Sequence, residues 1–249
     1  MTESRQDTSD DERRQVIDGL LAAQARVSPK YFYDLAGSRL FDVITLLDEY
    51  YPTVTERGIL QRHAADIAAA FRSAAGDCAL LVEPGAGSCE KVRFLLPVLR
   101  PAQYLALDVS VEFVEQALES LRRDFPQVPM TAQAADIAQA APWPLPALEG
   151  ARLFFYPGSS IGNFTPDEAQ ALLARMHAQC RGQGGLLIGV DLVKDTSVLH
   201  AAYNDALGVT AAFNLNLLRH LNRLIGSDFR AEQWEHYAFY NEPASRIEM

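Results

Sequence analysis

The chain has 249 residues, 49% of them hydrophobic and 22% charged, with a formal net charge of −10. That length fits one large domain, or one domain with an appendage. The acidic balance is a poor match for nucleic-acid phosphates, no apolar run reaches a bilayer's thickness, and the polar start MTESRQDTSDDERRQ lacks the apolar core of a signal peptide. The three cysteines (Cys78, Cys89, Cys180) and five scattered histidines lack metal-ligand spacing, so no metal is expected and a reducing cytoplasm is the expected location.

Residues 1–8 read as a disordered polar tail, and Ser9 with Glu12 makes a capping-box pattern for a first helix carrying Val16, Ile17, Leu20 and Leu21. A short helix is expected over Ser38–Leu47. A second capping box, Thr53 to Glu56, opens a helix with Ile59, Leu60, Ile67 and Phe71 on one face. Strands then alternate with helices: strands over Cys78–Glu83, Tyr104–Val109, Met130–Ala135, Leu153–Tyr156 and Leu186–Val193, helices over Lys91–Leu99 and Val111–Phe125, and a helix opened by Thr165, Pro166 and Glu168. This succession predicts an α/β fold with a parallel sheet and helices on both faces. Beyond Asp195 the alternation stops. Thr196–Ile225 reads as mostly helical and Trp234–Met249 as one or two strands, a partial α+β substrate-binding appendage. The division expected is an N-terminal helical segment (1–60), a Rossmann-like core (61–195) and the appendage (196–249).

Ligands of such sheets sit at the carboxyl ends of the strands. The first such loop is Glu83-Pro84-Gly85-Ala86-Gly87-Ser88. A dinucleotide fingerprint wants a third glycine where this chain has Glu90, whose charge would repel a pyrophosphate; a Walker lysine is also absent. S-adenosylmethionine (SAM) carries a sulfonium and an ammonium, so acids by the turn suit it. Glu83 fits that cationic ligand and Lys91 its carboxylate. Asp108 is spaced to receive ribose hydroxyls, and Asp136 the adenine amino group with Ile137 beside the ring. Singly, Asp108 reads equally well as a helix cap and Asp136 as a loop acid. Together the order is that of a class I methyltransferase.

The stretches PKYFYDLAGSRLFD, EYYPTVTER, VEPGAGSCEK, PGSSIGNFTP, GVDLVKD, AAYNDALGVTAAFNLNLL and RIEM resemble one family, the L-histidine Nα-methyltransferases of ergothioneine biosynthesis. The resemblance covers the chain from about Pro29 to Met249. It implies that Gly85, Lys91, Asp108, Asp136 and Ile137 hold SAM, and that Tyr50, Asn163 and Tyr203, with Tyr33 nearby, hold the amino-acid substrate. Met249 matches a residue near that substrate. It implies transfer to the α-amino group of histidine, up to the trimethylated betaine, with S-adenosylhomocysteine (SAH) as by-product. Tyr31, Phe32, Phe41 and Tyr51 read as packing, Asn214 and Asn216 as caps or cross-links, and Asp191 and Asp195 as structural links.

Relatives continue past the position of Met249. The expectation is therefore a cofactor half intact in outline, a fifth strand left as an uncovered apolar edge, and histidine selectivity reduced or absent. The expected partner is a small amino acid, with neither nucleic acid nor membrane, and a monomeric state once the sheet edge is completed. Two alternatives stay open: a different amino acid or amine as acceptor, and a non-catalytic SAM or SAH binder.

Overall fold

The computed structural model describes residues 3–249. The central strands of the core carry apolar side chains on both faces, because helices cover both. Strand β1 (Cys78–Pro84) turns Leu80 and Val82 to one side and Leu81 to the other; β4 (Ala151–Tyr156) does the same with Phe154 and Tyr156 against Leu153 and Phe155. With β2 (Gln103–Asp108), β3 (Met130–Ala134) and β5 (Gly184–Ile188) they form a five-stranded sheet in the order β3-β2-β1-β4-β5. All four pairings are parallel. The order reverses between β1 and β4, which places the ligand crevice of such folds at their carboxyl ends.

Helix α1 spans Glu3–Leu20, α2 Leu35–Ile44, α3 Tyr51–Ala75, α4 Leu96–Leu99, α5 Val111–Asp124 and α6 Pro166–Gln179. One face of the sheet is covered by α3 and α5 through Leu60, Ala68, Val114 and Leu118, the other by α6 and Trp143. Helices α7 (Thr196–Tyr203) and α8 (Val209–Ile225) and the antiparallel hairpin of β6 (Phe239–Asn241) and β7 (Arg246–Glu248) make the appendage. The N-terminal segment packs into that appendage: α2 lies on α8, and Phe32 stacks on Phe213 with ring centroids 5.1 Å apart. Helix α3 runs unbroken through the 60/61 position, so the expected boundary falls inside a helix.

Several element boundaries differ from expectation. Helix α1 already begins at Glu3, where a disordered tail was expected; residues 1–2 lie outside the described residues. Glu12 is drawn outward by Lys30 (3.0 Å) and the Tyr31 hydroxyl (3.3 Å). The expected helix over Lys91–Leu99 splits into a 3₁₀ turn, Lys91–Phe94, and the short α4, since the ring of Pro97 interrupts the hydrogen-bond ladder. Strand β5 stops at Ile188 rather than Val193. There Gly189 N donates to Tyr156 O (3.0 Å) and Gly189 O accepts from Ser159 N (3.1 Å), which turns the chain off the sheet. Leu186, Val190, Leu192 and Val193 are left exposed along that side. The Thr165–Glu168 capping box forms with both reciprocal bonds, as expected.

Asp34 joins the N-terminal segment to α8. It caps α2 by accepting from Gly37 N (2.8 Å), and its carboxylate also receives Asn216 Nδ2 (2.8 Å) and the Arg223 guanidinium. Asp34→Ala removes a cap and leaves the buried Asn216 amide short of a partner. The expected loss is about 2 kcal/mol, read as a lower urea midpoint at unchanged slope.

Candidate active site

The crevice is built from the loops at the ends of β1, β2 and β4. After Pro84 the chain folds over the end of β2: Gly85 N (2.7 Å) and Ala86 N (3.2 Å) both donate to Leu107 O. Gly85 and Gly87 take φ of 68° and 52°, where a side chain would be strained. A Cβ on Gly87 would meet nothing within 4 Å, so the turn has open space above it. Asp108 fixes this turn. Its Oδ2 accepts from Gly87 N (3.0 Å) and its Oδ1 from Ser110 N (2.9 Å). Ser110 in turn donates from Oγ to the Tyr33 carbonyl (2.6 Å), pinning the N-terminal segment over the crevice.

Glu83 lies beneath the turn rather than in it. It is 2% exposed and accepts from the Tyr104 hydroxyl at 2.6 Å. Burial pushes its carboxyl up to about 8, with Tyr104 and Lys91 opposing and Glu56 and Asp108 assisting. At neutral pH it is mostly protonated, so it does not present the anionic charge to a cationic ligand that the sequence suggested.

Lys91 is held by Glu56, whose carboxylate also accepts from Gly158 N through both oxygens (3.0 and 2.9 Å). The Thr53–Glu56 box does not form, because α3 starts at Tyr51 with Pro52 in its first turn and Glu56 turns inward. Asp136 faces the N-terminal segment. It accepts from Lys30 Nζ (2.8 Å) and Ala138 N (2.9 Å), beside a cavity of about 400 Å³ that reaches Arg26 and Gln139. Burial works against the Lys30 ammonium, but hydrogen bonds to Asp136 and Glu12 outweigh it and raise its pKa. Ile137 leans toward the turn, its Cδ1 3.6 Å from where a Gly85 Cβ would stand.

An aromatic wall stands across the crevice. Tyr33 meets Phe213 at 5.6 Å, Phe41 meets Tyr50 at 6.2 Å, and Tyr50 meets Tyr203 edge-on at 6.0 Å. Burial raises the pKa of Tyr33, Tyr50 and Tyr203, with further lifts from Asp108 on Tyr33 and from Asp191 on Tyr203, so these phenols stay protonated and act as donors. Tyr203 is positioned from behind by His236. Its Nε2 donates to Tyr203 O (2.8 Å) while Nδ1 accepts from Asn214 (2.9 Å), a pattern that assigns the neutral Nε2–H tautomer. Tyr156, at the end of β4, keeps a buried hydroxyl without a hydrogen-bond partner among the described residues. Asn163 is exposed in the loop beyond β4, and Met249 is 48% exposed at the far end of the hairpin. No described contact joins either to the wall. Asp195 caps α7, and Asp191 accepts from Tyr51 and Lys194.

This set fits SAM: an open glycine cradle tied to a strand-end acid, a lysine beside it already countered by Glu56, and a buried Tyr156 hydroxyl without a partner among the described residues. A model of a family described as histidine-specific, SAM-dependent methyltransferases matches residues 12–249. The chain belongs to that family. The histidine N-alpha-methyltransferase of Mycolicibacterium smegmatis is 42% identical over 95% of this chain and 73% of that protein. That of Mycobacterium tuberculosis is 39% identical over the same shares, and ergothioneine biosynthesis protein 1 of Neurospora crassa is 35% identical over 78% of this chain and 22% of that protein. Among the described residues of this family member, no helix is long and apolar enough to cross a membrane.

Glu56, Lys30, Tyr156 and His236 were missed as site residues from sequence. Glu56 read as part of a capping box and Tyr156 as the end of a strand, His236 was one of five scattered histidines, and Lys30 carried no local signal. Only the Pro-Gly after Tyr156 hinted that β4 ends at a ligand.

Glu83 gives the site a measurable pH signature. From its ordinary 4.5 up to about 8 the unfolded chain releases a proton that the native state keeps, so stability falls as pH rises through that window. The amide of Glu83→Gln does not titrate. Thermal melts across the window should decline less for the variant, the difference being on the order of a few kcal/mol at most. Parallel melting curves would contradict the burial argument.

Proposed function

We propose that this chain methylates the α-amino group of L-histidine, up to the trimethylated betaine, as a step of ergothioneine biosynthesis. The observation that carries the reading is the glycine cradle held by Asp108, facing the tyrosine wall across the switch point between β1 and β4. When bound, SAM supplies an electrophilic methyl group on sulfur.

The protein's own residues would then bind, align and exclude water. Gly85 and Gly87 would let the backbone approach the ligand, and Asp108 would receive ribose hydroxyls with the lone pairs left free by its two backbone donors. Lys91 would meet the cofactor's carboxylate. Asp136 and Ile137 would border the adenine, with Lys30 closing that side. Glu83 would support the turn from below. On the acceptor side Tyr50 and Tyr203 would donate to the substrate carboxylate, and Asn163 and Met249 would have to close in from the loop and the hairpin.

The raised phenols make poor bases, so the amine would lose its proton to solvent before binding productively. Tyr33 and Tyr50 would face the growing ammonium with ring surfaces, suiting a cation that ends quaternary. A second reading, another amino acid as acceptor, is favoured by one observation: Asn163 and Met249 stand apart from the wall while the cofactor side is already assembled.

Mass spectrometry of an amino-acid panel incubated with protein and SAM tests both. Stepwise gains of methyl groups on histidine alone support the first reading; gains on another amino acid favour the second; calorimetry showing no SAH binding would sink both. Asp108→Asn should weaken SAH binding by about tenfold. The rate should rise with pH as the substrate amine deprotonates, and the three phenols should impose no decline before about pH 10, because burial holds them above their ordinary 10.0.

A further inference from the structure

Glu56 contacts the crevice from three sides. Its side chain is 16% exposed and meets Lys91, itself 21% exposed, through Oε2. Both oxygens accept from Gly158 N, at 3.0 and 2.9 Å. Gly189 packs flat against the same carboxylate, so that a Cβ there would overlap it. Lys91 follows the β1 loop, Gly158 follows β4 and Gly189 follows β5. One carboxylate from α3 therefore ties together the chain beyond three neighbouring strands, at the place where the strand order reverses.

We propose that Glu56 is a positioning residue for methyl transfer, holding the cofactor lysine Lys91 and the acceptor-side loop at Gly158 in register. The proposal rests on the function given above. Gly158 takes φ +79°, and a Cβ there would lie 3.3 Å from Lys91 Nζ, so the lysine and the loop are already in close approach. When Lys91 swings to an incoming carboxylate, Glu56 keeps its backbone partner and does not become a buried unpaired charge. The loop thus stays placed while the lysine changes partner. Without Glu56 the two sides of the crevice lose their common anchor, and transfer suffers through misalignment rather than through loss of binding.

The test compares kcat, KM for SAM and histidine, SAH affinity by calorimetry and melting temperature in four variants. Glu56→Gln keeps the shape but offers a single acceptor oxygen and no charge. It should lower kcat by about tenfold while SAH binds as well or more tightly, since an anion beside the ligand's carboxylate has gone. Gly189→Ala displaces the carboxylate without deleting it and should lower kcat in the same direction. Glu56→Ala should match Glu56→Gln in kcat, and adding Gly189→Ala to it should cost much less than Gly189→Ala does alone, because the carboxylate it displaces is absent and only the 3.3 Å approach to Gly158 N is left.

The proposal is overturned if Glu56→Gln stays within about twofold of the parent in kcat. It is equally overturned if kcat and SAH affinity fall together in step with melting temperature, or if Gly189→Ala costs as much in the Glu56→Ala background as alone. A parent protein that binds no SAH defeats the function reading, and this proposal with it. A parent that transfers methyl groups alongside variants that behave like it defeats only the role of Glu56.

Discussion

Both oxygens of Asp108 are spoken for by backbone, one by Gly87 N and the other by Ser110 N, and the site hangs on that pair of bonds. The first holds the glycine turn open at the end of β1. The second fixes Ser110, whose hydroxyl catches the carbonyl of Tyr33 and so lays the N-terminal segment across the crevice. From Tyr33 the packing continues through Phe213 of α8 to Phe41, Tyr50 and Tyr203. A strand-end carboxylate thereby links the cofactor side of the crevice to its aromatic side, and the tyrosines are held by a chain of contacts rather than by their own loops.

Electrostatics divide the acids of the site by burial. Glu83 sits deepest and is largely neutral, serving the turn as a hydrogen-bonded support. Glu56 and Asp136 are partly buried, and each has a lysine drawn against it, from the β1 loop and the N-terminal segment. These lysines come from distant parts of the sequence, so the charge pairs also fasten the N-terminal segment and the β1 loop to the core. A chain of net charge −10 thus presents its cofactor crevice with few uncompensated charges, which suits a ligand that is itself zwitterionic with an added sulfonium.

The three capping boxes visible in the sequence show what local pattern decides. Thr165 and Glu168 form theirs because Pro166 fixes the start of α6, and the glutamate accepts from both the Thr165 N–H and its hydroxyl. Thr53 and Glu56 carry the same pattern, yet Glu56 leaves it for Gly158 and Lys91. Helix α1 already runs through position 9, so no helix starts there, and Glu12 meets Lys30 and Tyr31. A capping box contributes about 1 kcal/mol, less than a half-buried charge gains from a lysine and a peptide N–H together, so the tertiary partner wins. Tertiary bonds also bear on β5: its apolar pattern runs on to Val193, but the strand ends at Ile188, where Gly189 N donates to Tyr156 O at the end of β4 and Gly189 O accepts from Ser159 N in the loop beyond it.

The sequence alone determined the alternation of strands and helices, the parallel sheet and the glycine turn with its strand-end acids, because these follow from periodicity, turn chemistry and charge within short windows. It also carried the family resemblance from Pro29 to Met249. Only the tertiary structure decided which acids are charged, which lysines they hold and how the tyrosines meet. Those depend on desolvation and on contacts between residues a hundred or more positions apart, such as Lys30 with Asp136 and Glu56 with Gly158, which no local pattern encodes.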